Sequence, residues 1–426
     1  MLLGVLLGTL ALTLLGGAPA AAATTPAGER DPLRQPYAST SIWNTPIGSQ
    51  ARYVPTPVRA RGFAVHTDWF VVTRSTDPLE RTLLPSPGPD PCASRTPPRV
   101  SGPAQERRRV PRSLVILPRE AAAGSRPGPG TASAFLQPDG RTLVSYGSTA
   151  RCLPGGPLHA RWAGRSSLYG DGLTGGEAGS GMSSIGGSLR AGELLGPGPV
   201  RHALKLRLPA RYLFHDGETD GFRWPARGAD DGASLRYAGK ARALRTGALL
   251  ALPPAATAAG LRVETPAGRV LLAALRDHGA YVAGESGTAV PTLAVERRAQ
   301  IEYRKATARA LDGDPALQAE VRRMLAAVAV VDDNTPTSIG GEGVPRVEPP
   351  PPLRTEAERT GPTATASPVA SPVGSPPPAP GAAGGPGADG GAPDQLGTPA
   401  VVALLTSAAM LLGAGLLVGH RAVRSR

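Results

Sequence analysis

Aromatic residues make up only 4% of this chain, it holds 2 cysteines, and lysine occurs solely at Lys205, Lys240 and Lys305. Each scarcity excludes something. So few aromatic rings argue against a broad sugar-stacking surface. Two cysteines with no Cys-x-x-Cys pair, and no histidine nearby at ligand spacing, exclude a thiolate zinc site. No Gly-x-Ser-x-Gly run is present, so a hydrolase with its nucleophile on a strand-to-helix elbow is not indicated. The formal net charge of +13 is carried almost wholly by arginine. It is scattered rather than striped, and its densest cluster, Arg107 to Arg109 with Arg112, reads as a solvated loop. Together with 55 Gly and 47 Pro, this pattern is compositional bias before it is nucleic-acid recognition. No nucleic-acid partner, cofactor or metal is expected.

Long apolar runs are confined to the two ends. Leu2 to Leu15 followed by Ala18, Pro19 and Ala20 to Ala23 reads as a signal peptide over 1–23, although no basic residue follows Met1. Ala400 to Gly419 carries no charge and is followed by His420, Arg421, Arg424 and Arg426. That is the pattern of a single transmembrane helix, 400–419, with a basic cytoplasmic tail, 420–426. The body between them is then extracellular. Residues 24–40 form a polar lead-in, 41–346 an exported domain, and 347–399 a disordered linker rich in Pro, Gly and Ala that works as a stalk. In that oxidising setting Cys92 and Cys152 are expected to pair; closing a loop of about 60 residues contributes on the order of 4 kcal/mol in the loop-entropy model.

The body reads as mainly β, a β-sandwich or jelly-roll-like domain with a C-terminal helical patch. Short β-like runs occur at Ser41 to Gly48, Tyr53 to Pro55, Phe63 to Val65, Trp69 to Thr73, Leu114 to Leu117, Ala134 to Leu136 and Thr142 to Tyr146. Gln137-Pro138-Asp139-Gly140 joins the last two as a hairpin turn. Thr76 to Arg112 is rich in Pro, Ser and Arg and reads as a long loop. Val200 to Leu208 alternates Leu with Lys and Arg, a half-buried strand on which His202 shares the inward parity of Leu204, Leu206 and Leu208. Leu249 to Leu252, Leu261 to Val263 and Ala280 to Ala283 continue the β pattern. Thr292 to Leu311 has helix-forming composition, and Asp314-Pro315 opens a second helix whose buried face is Leu317, Val321, Met324 and Val328.

Gly170-Asp171-Gly172-Leu173-Thr174-Gly175 matches a dinucleotide fingerprint, but more Gly and Ser follow it where a helix should start, so it reads as a glycine loop. The runs Gly181-Met182-Ser183-Ser184-Ile185-Gly186-Gly187-Ser188-Leu189-Arg190-Ala191-Gly192-Glu193-Leu194, Val200 to Lys205, Arg223-Trp224-Pro225-Ala226, Gly247 to Pro254, Gly279 to Val282 and Val331 to Asn334 resemble, in this order, a group of secreted bacterial proteins frequent in actinobacteria. The resemblance spans Ser41 to Arg346 and implies one shared domain, without implying a reaction. This chain departs from the group's pattern at Glu177-Ala178, where a histidine is usual, and at Ala283-Gly284-Glu285, where an acidic pair is usual.

His202 is the best candidate for general acid/base work, beside Arg190 and Glu193 at the end of the glycine loop, with Tyr281 or Glu285 close by. The plainer reading is a core histidine bonded to backbone. Asp230 and Asp231 near Trp224 are a candidate binding site, since paired carboxylates beside an aromatic ring suit a sugar; acidic turns are the plainer reading. Asp332-Asp333-Asn334 lacks the glycine and distal glutamate of a calcium loop and reads as a turn. The expected function is a surface-anchored protein that acts on or binds extracellular carbohydrate or cell-envelope polymer. The alternative is a non-enzymatic adhesion or scaffold protein.

Overall fold

A computed structural model describes residues 30–83, 92, 107–117, 131–176 and 179–353. The signal segment, most of the linker and the 400–419 segment lie outside these residues. Among the described residues no helix is long and apolar enough to cross a membrane.

The described chain is mainly β. In order it runs β1 (Tyr53–Pro55), β2 (Ala64–Val72), β3 (Leu79–Leu83), β4 (Arg107–Arg109), β5 (Ala132–Leu136), β6 (Thr142–Gly147), β7 (Leu158–His159), β8 (Trp162–Ser167) and β9 (Leu204–Leu208). There follow α1 (Ala233–Arg236), β10 (Leu249–Ala251), α2 (Pro266–Asp277), β11 (Ala280–Glu285), β12 (Thr292–Glu296), α3 (Arg297–Thr307), α4 (Pro315–Ala327) and β13 (Ala329–Val331). A 10-stranded sheet has the order β1-β13-β10-β11-β9-β12-β2-β5-β6-β8, and a 3-stranded sheet the order β4-β3-β7. β11 with β9, β12 with β2 and β2 with β5 are parallel pairs. This corrects the sandwich or jelly-roll expectation: the strands at the centre share one mixed sheet, and the parallel pairs need crossovers that hairpin-linked sandwiches do not make.

The alternation of side chains across the pleat sorts residues onto two faces. Leu204, Leu206, Leu208, Leu250, Ala280, Val282, Leu293 and Val295 join the core cluster that also holds Leu271, Leu275, Leu317, Val321 and Met324 from α2 and α4. The odd partners Leu249, Ala251, Tyr281 and Ala283 join Tyr37, Ile42, Trp43, Met182 and Ile185 in a second cluster, under irregular chain. The helices therefore lie on one face and the glycine-rich segment on the other. Each fully buried Leu or Val contributes about 1.5–3 kcal/mol.

Several expectations change in detail. Asp314 does cap α4, its carboxylate accepting from the backbone N–H of Ala316 at 3.0 Å and Leu317 at 3.3 Å. Gln137 to Gly140 does connect the β5–β6 hairpin. The runs Phe63 to Val65 and Trp69 to Thr73, however, fall on one strand, β2, which spans Ala64–Val72. Thr292 to Glu296 is a fully buried strand rather than helix, because it sits between β9 and β2. The supposed loop Thr76 to Arg112 contains β3 and β4, which pair with each other. Leu261 to Val263 is a turn, Ser41 to Gly48 is turns, and the alternating strand begins at Leu204 rather than Val200. Cys92 and Cys152 are disulfide-bonded, with Cα atoms 5.5 Å apart.

Candidate functional site

His202 lies in the turn just before β9, and it is buried. Nδ1 lies 2.9 Å from the Ala203 carbonyl, and Nε2 lies 3.1 Å from Glu193 Oε1. A carbonyl only accepts, and an ionised carboxylate only accepts, so both ring nitrogens donate and the ring is an imidazolium. Burial pulls the His202 pKa down, but the Glu193 charge and hydrogen bond and the Ala203 carbonyl outweigh it, and the net shift is upward. Glu193 moves the other way: burial raises it, and His202 and the Arg190 backbone N–H together bring it below its ordinary value. This is a buried ion pair.

Arg190 is 2% exposed and stands behind that pair rather than in open space. Its Nη2 donates to the Ile185 carbonyl at 2.8 Å, and its guanidinium lies over the Phe70 ring at 5.1 Å from the centroid. The glycine loop leaves no cleft there. A Cβ on Gly186 or Gly187 would overlap the Trp43 indole, so the missing side chains make room for that ring. Gly187 also has φ +71° and accepts the Lys205 N–H at 2.9 Å. The space left between Trp43, Gly187, Arg190 and His202 is about 10 Å³, enough for a water at most.

The other sequence candidates separate from His202. Tyr281 is buried, its hydroxyl 3.3 Å from Asn334 Oδ1 and its ring edge-on to Trp43 at 5.5 Å. Glu285 pairs with Arg236 at 2.6 Å, and its backbone N–H donates to Asp230 Oδ2 at 2.6 Å. Asp230 also accepts from the Tyr237 hydroxyl at 2.5 Å. Asp230 and Glu285 are thus brought together, though through a backbone amide rather than across a shared space. Trp224 is half-buried against the Tyr281 cluster, and Asp231 is exposed. Among the described residues no hydrogen bond joins Tyr281, Glu285, Trp224, Asp230 or Asp231 to His202. The Asp332 to Asn334 turn is occupied by protein partners. Asp332 pairs with Arg223 at 2.9 Å, and Asp333 accepts the Arg52 N–H at 2.9 Å. Among the described residues no group of three metal-ligating side chains converges.

Open space lies on the solvent side of His202. A cleft of about 680 Å³ is lined by the basic side chains of Arg30, Arg34, Arg201 and His202 together with the carboxylates of Asp31, Glu193 and Glu348. Arg30 is only 7% exposed and donates Nη2 to the Tyr37 carbonyl at 2.5 Å, while Nε and Nη1 have no partner among the described residues. Burial lowers its pKa to about 10, which still leaves it charged at neutral pH. Among the described residues no carboxylate pairs with Arg30, Arg34 or Arg201, whereas Glu193 is taken by His202.

No family model, curated protein or solved structure matches this chain.

One cluster escaped the sequence reading. Lys205, treated there as a polar position of a half-buried strand, is 1% exposed, and its Nζ lies 2.9 Å from Asp68 Oδ2 and 2.6 Å from the Ser184 carbonyl. His66 Nδ1 lies 2.8 Å from Asp68 Oδ1, and the Ser188 hydroxyl donates to Asp68 Oδ2. The signal was present: His66, Asp68 and Phe70 share a parity on β2, opposite to the core residue Val65.

Proposed function

We propose that this is a cell-surface protein, exported by its N-terminal segment and held by the 400–419 anchor, whose exported domain binds an acidic carbohydrate or envelope polymer in the cleft beside His202. The observation that carries this is Arg30: a buried guanidinium whose Nε and Nη1 have no partner among the described residues, in a cleft where Arg34, Arg201 and the imidazolium of His202 stand with it against Asp31, Glu348 and the already paired Glu193. Buried donors are normally satisfied, and carboxylate or phosphate oxygens match a guanidinium in charge and fork geometry. Binding is favoured over turnover because both nitrogens of His202 are engaged, leaving no atom to move a proton on a substrate. The low aromatic content agrees with recognition by charge rather than by stacking.

Calorimetry of the soluble body against a polyuronate, a polyol-phosphate wall polymer and a neutral glucan tests this. The acidic polymers should bind and the glucan should not, and Arg30→Gln should weaken binding about tenfold or more, the equivalent of one charge-assisted hydrogen bond. Equal binding of the glucan, or unchanged affinity in Arg30→Gln, refutes the reading. New reducing ends or unsaturated uronates would instead make the domain an enzyme. The topology has its own check. External protease on intact cells should release the body by cutting within 347–399, and protection of the body with loss of the tail would reverse the orientation.

A further inference from the structure

Lys205 and Asp68 are joined by an arrangement that an ordinary ion pair does not require. The strands that carry them are not neighbours: β12 lies between β9 and β2. Leu293 is registered with Leu206, so the next pair along places Ala294 beside Lys205, and Ala294 is registered with His66. Ala294 presents only a methyl group on that face. The lysine stem therefore arches over it to reach a carboxylate two strands away. Both side chains are about 1% exposed. Confining a lysine and an aspartate this far from water costs several kcal/mol per ion, and only part of that is returned by their attraction.

We propose that Lys205 Nζ and Asp68 Cγ condense to an intramolecular isopeptide bond, a covalent modification of the folded domain. The balance closes without a co-reactant. The ammonium carries three protons: one stays on the amide nitrogen, and two leave with Asp68 Oδ2 as water. The positive and negative charges cancel. Nζ forms the new bond to Cγ while the Cγ–Oδ2 bond breaks, and Oδ1 remains as the amide carbonyl.

The neighbours stand where that chemistry needs them. His66 Nδ1 faces Oδ1, where its proton stabilises the charge that develops in the tetrahedral intermediate. Because Oδ1 is an acceptor, the proton sits on Nδ1. The Ser188 hydroxyl donates to Oδ2, the leaving oxygen, and Nζ, 2.9 Å from the same atom, passes its two protons to it directly. The Ser184 carbonyl at 2.6 Å accepts from Nζ and holds it beside the Asp68 carboxylate. Burial lowers the Lys205 pKa against the opposing charge of Asp68, which eases loss of the proton that frees the nitrogen lone pair. In bulk water hydrolysis dominates such an equilibrium, because water is in excess and solvates the separated ions. Inside the core both of those advantages are missing. The product replaces two buried charges with one neutral amide and ties β9 to β2 across β12.

Mass spectrometry of the folded, purified full chain tests it. The wild type should weigh one water less than its processed, disulfide-bonded sequence. Digestion after reduction should yield a branched peptide linking the β2 and β9 segments through Lys205 and Asp68. Lys205→Arg keeps the cation but should show neither feature. A wild-type mass without the deficit, or a Lys205 amine that reacts fully with an acylating reagent after unfolding, overturns the proposal. So does a deficit that persists in Lys205→Arg. If that variant fails to fold, the presence or absence of the branched peptide in the wild type decides alone. None of these outcomes depends on what the arginine-lined cleft binds.

Discussion

Burial without a counter-charge strips the proton from a histidine, and His278 shows the result. It is 2% exposed, neither ring nitrogen has a partner among the described residues, and its pKa falls to about 3 through burial and then the nearby charges of His202 and Arg201. His202 is equally enclosed, yet Glu193 reverses the direction. The two residues therefore pull stability in opposite senses across pH. The His202 contribution is complete below its ordinary value of 6.5 and is lost as pH rises through the raised folded value. The Glu193 contribution is complete above 4.5 and is lost as pH falls through its lowered folded value. Unfolded chains protonate His278 below 6.5 while the native state stays neutral down to about 3, so stability falls with pH between those values. His278→Leu should therefore make the loss of stability from neutral to about pH 4 smaller by about 3 kcal/mol, read from urea denaturation at each pH. Glu193→Ala leaves the imidazolium buried without a counter-charge and should cost about 3–5 kcal/mol near pH 6. A loss well under 1 kcal/mol would mean that the pair is already open to water.

At β12 and at the α2–α4 contact, single side chains decide how neighbouring elements fit together. Ala294 is the gap through which Lys205 reaches Asp68, so Ala294→Leu should overpack that face, cost about 1–3 kcal/mol in thermal or urea unfolding and separate the pair. Ala294→Gly, which leaves the gap open, should keep the pair together. The start of α2 depends on α4. Buried Glu320 accepts the N–H groups of Glu264 at 2.7 Å and Thr265 at 2.8 Å, while Thr265 caps Gly268 at 3.0 Å. Glu320→Ala orphans two backbone donors and should cost about 3 kcal/mol, against about 1 kcal/mol for Thr265→Ala; denaturant midpoints would rank them. These elements also show why legibility varied. α4 was readable because Asp314, Pro315 and an apolar face at helical spacing agree. α2 carries a comparable cap-and-proline start, Thr265-Pro266, but Ala267 and Gly268 follow it and weaken the helical signal. β12 misled because Thr292 to Glu296 has no strand-like alternation: both of its faces are buried, and a strand buried on both sides has no polar side to display.

Across the whole molecule, the disulfide fastens the part with the least sheet of its own. Cys92 lies between β3 and β4, and Cys152 follows Arg151, a fully buried arginine bound to Glu80 at 2.8 Å and the Pro111 carbonyl at 2.8 Å. Replacing both cysteines by serine should cost about 2–4 kcal/mol and expose the β4-β3-β7 sheet to protease before β9, β11 and β12. Simultaneous cleavage of both sheets would show that they unfold as one unit. The mainly β character, the cysteine pairing, the β5–β6 hairpin and the capped start of α4 were legible along the chain, because each rests on local chemistry or on the chain's own composition. Tertiary structure alone decided that Trp43 fills the space above Gly186 and Gly187, that Glu193 holds His202 charged, and that Lys205 reaches Asp68. Those depend on which strands lie side by side, and strand order is set by packing over long separations, which no local pattern encodes.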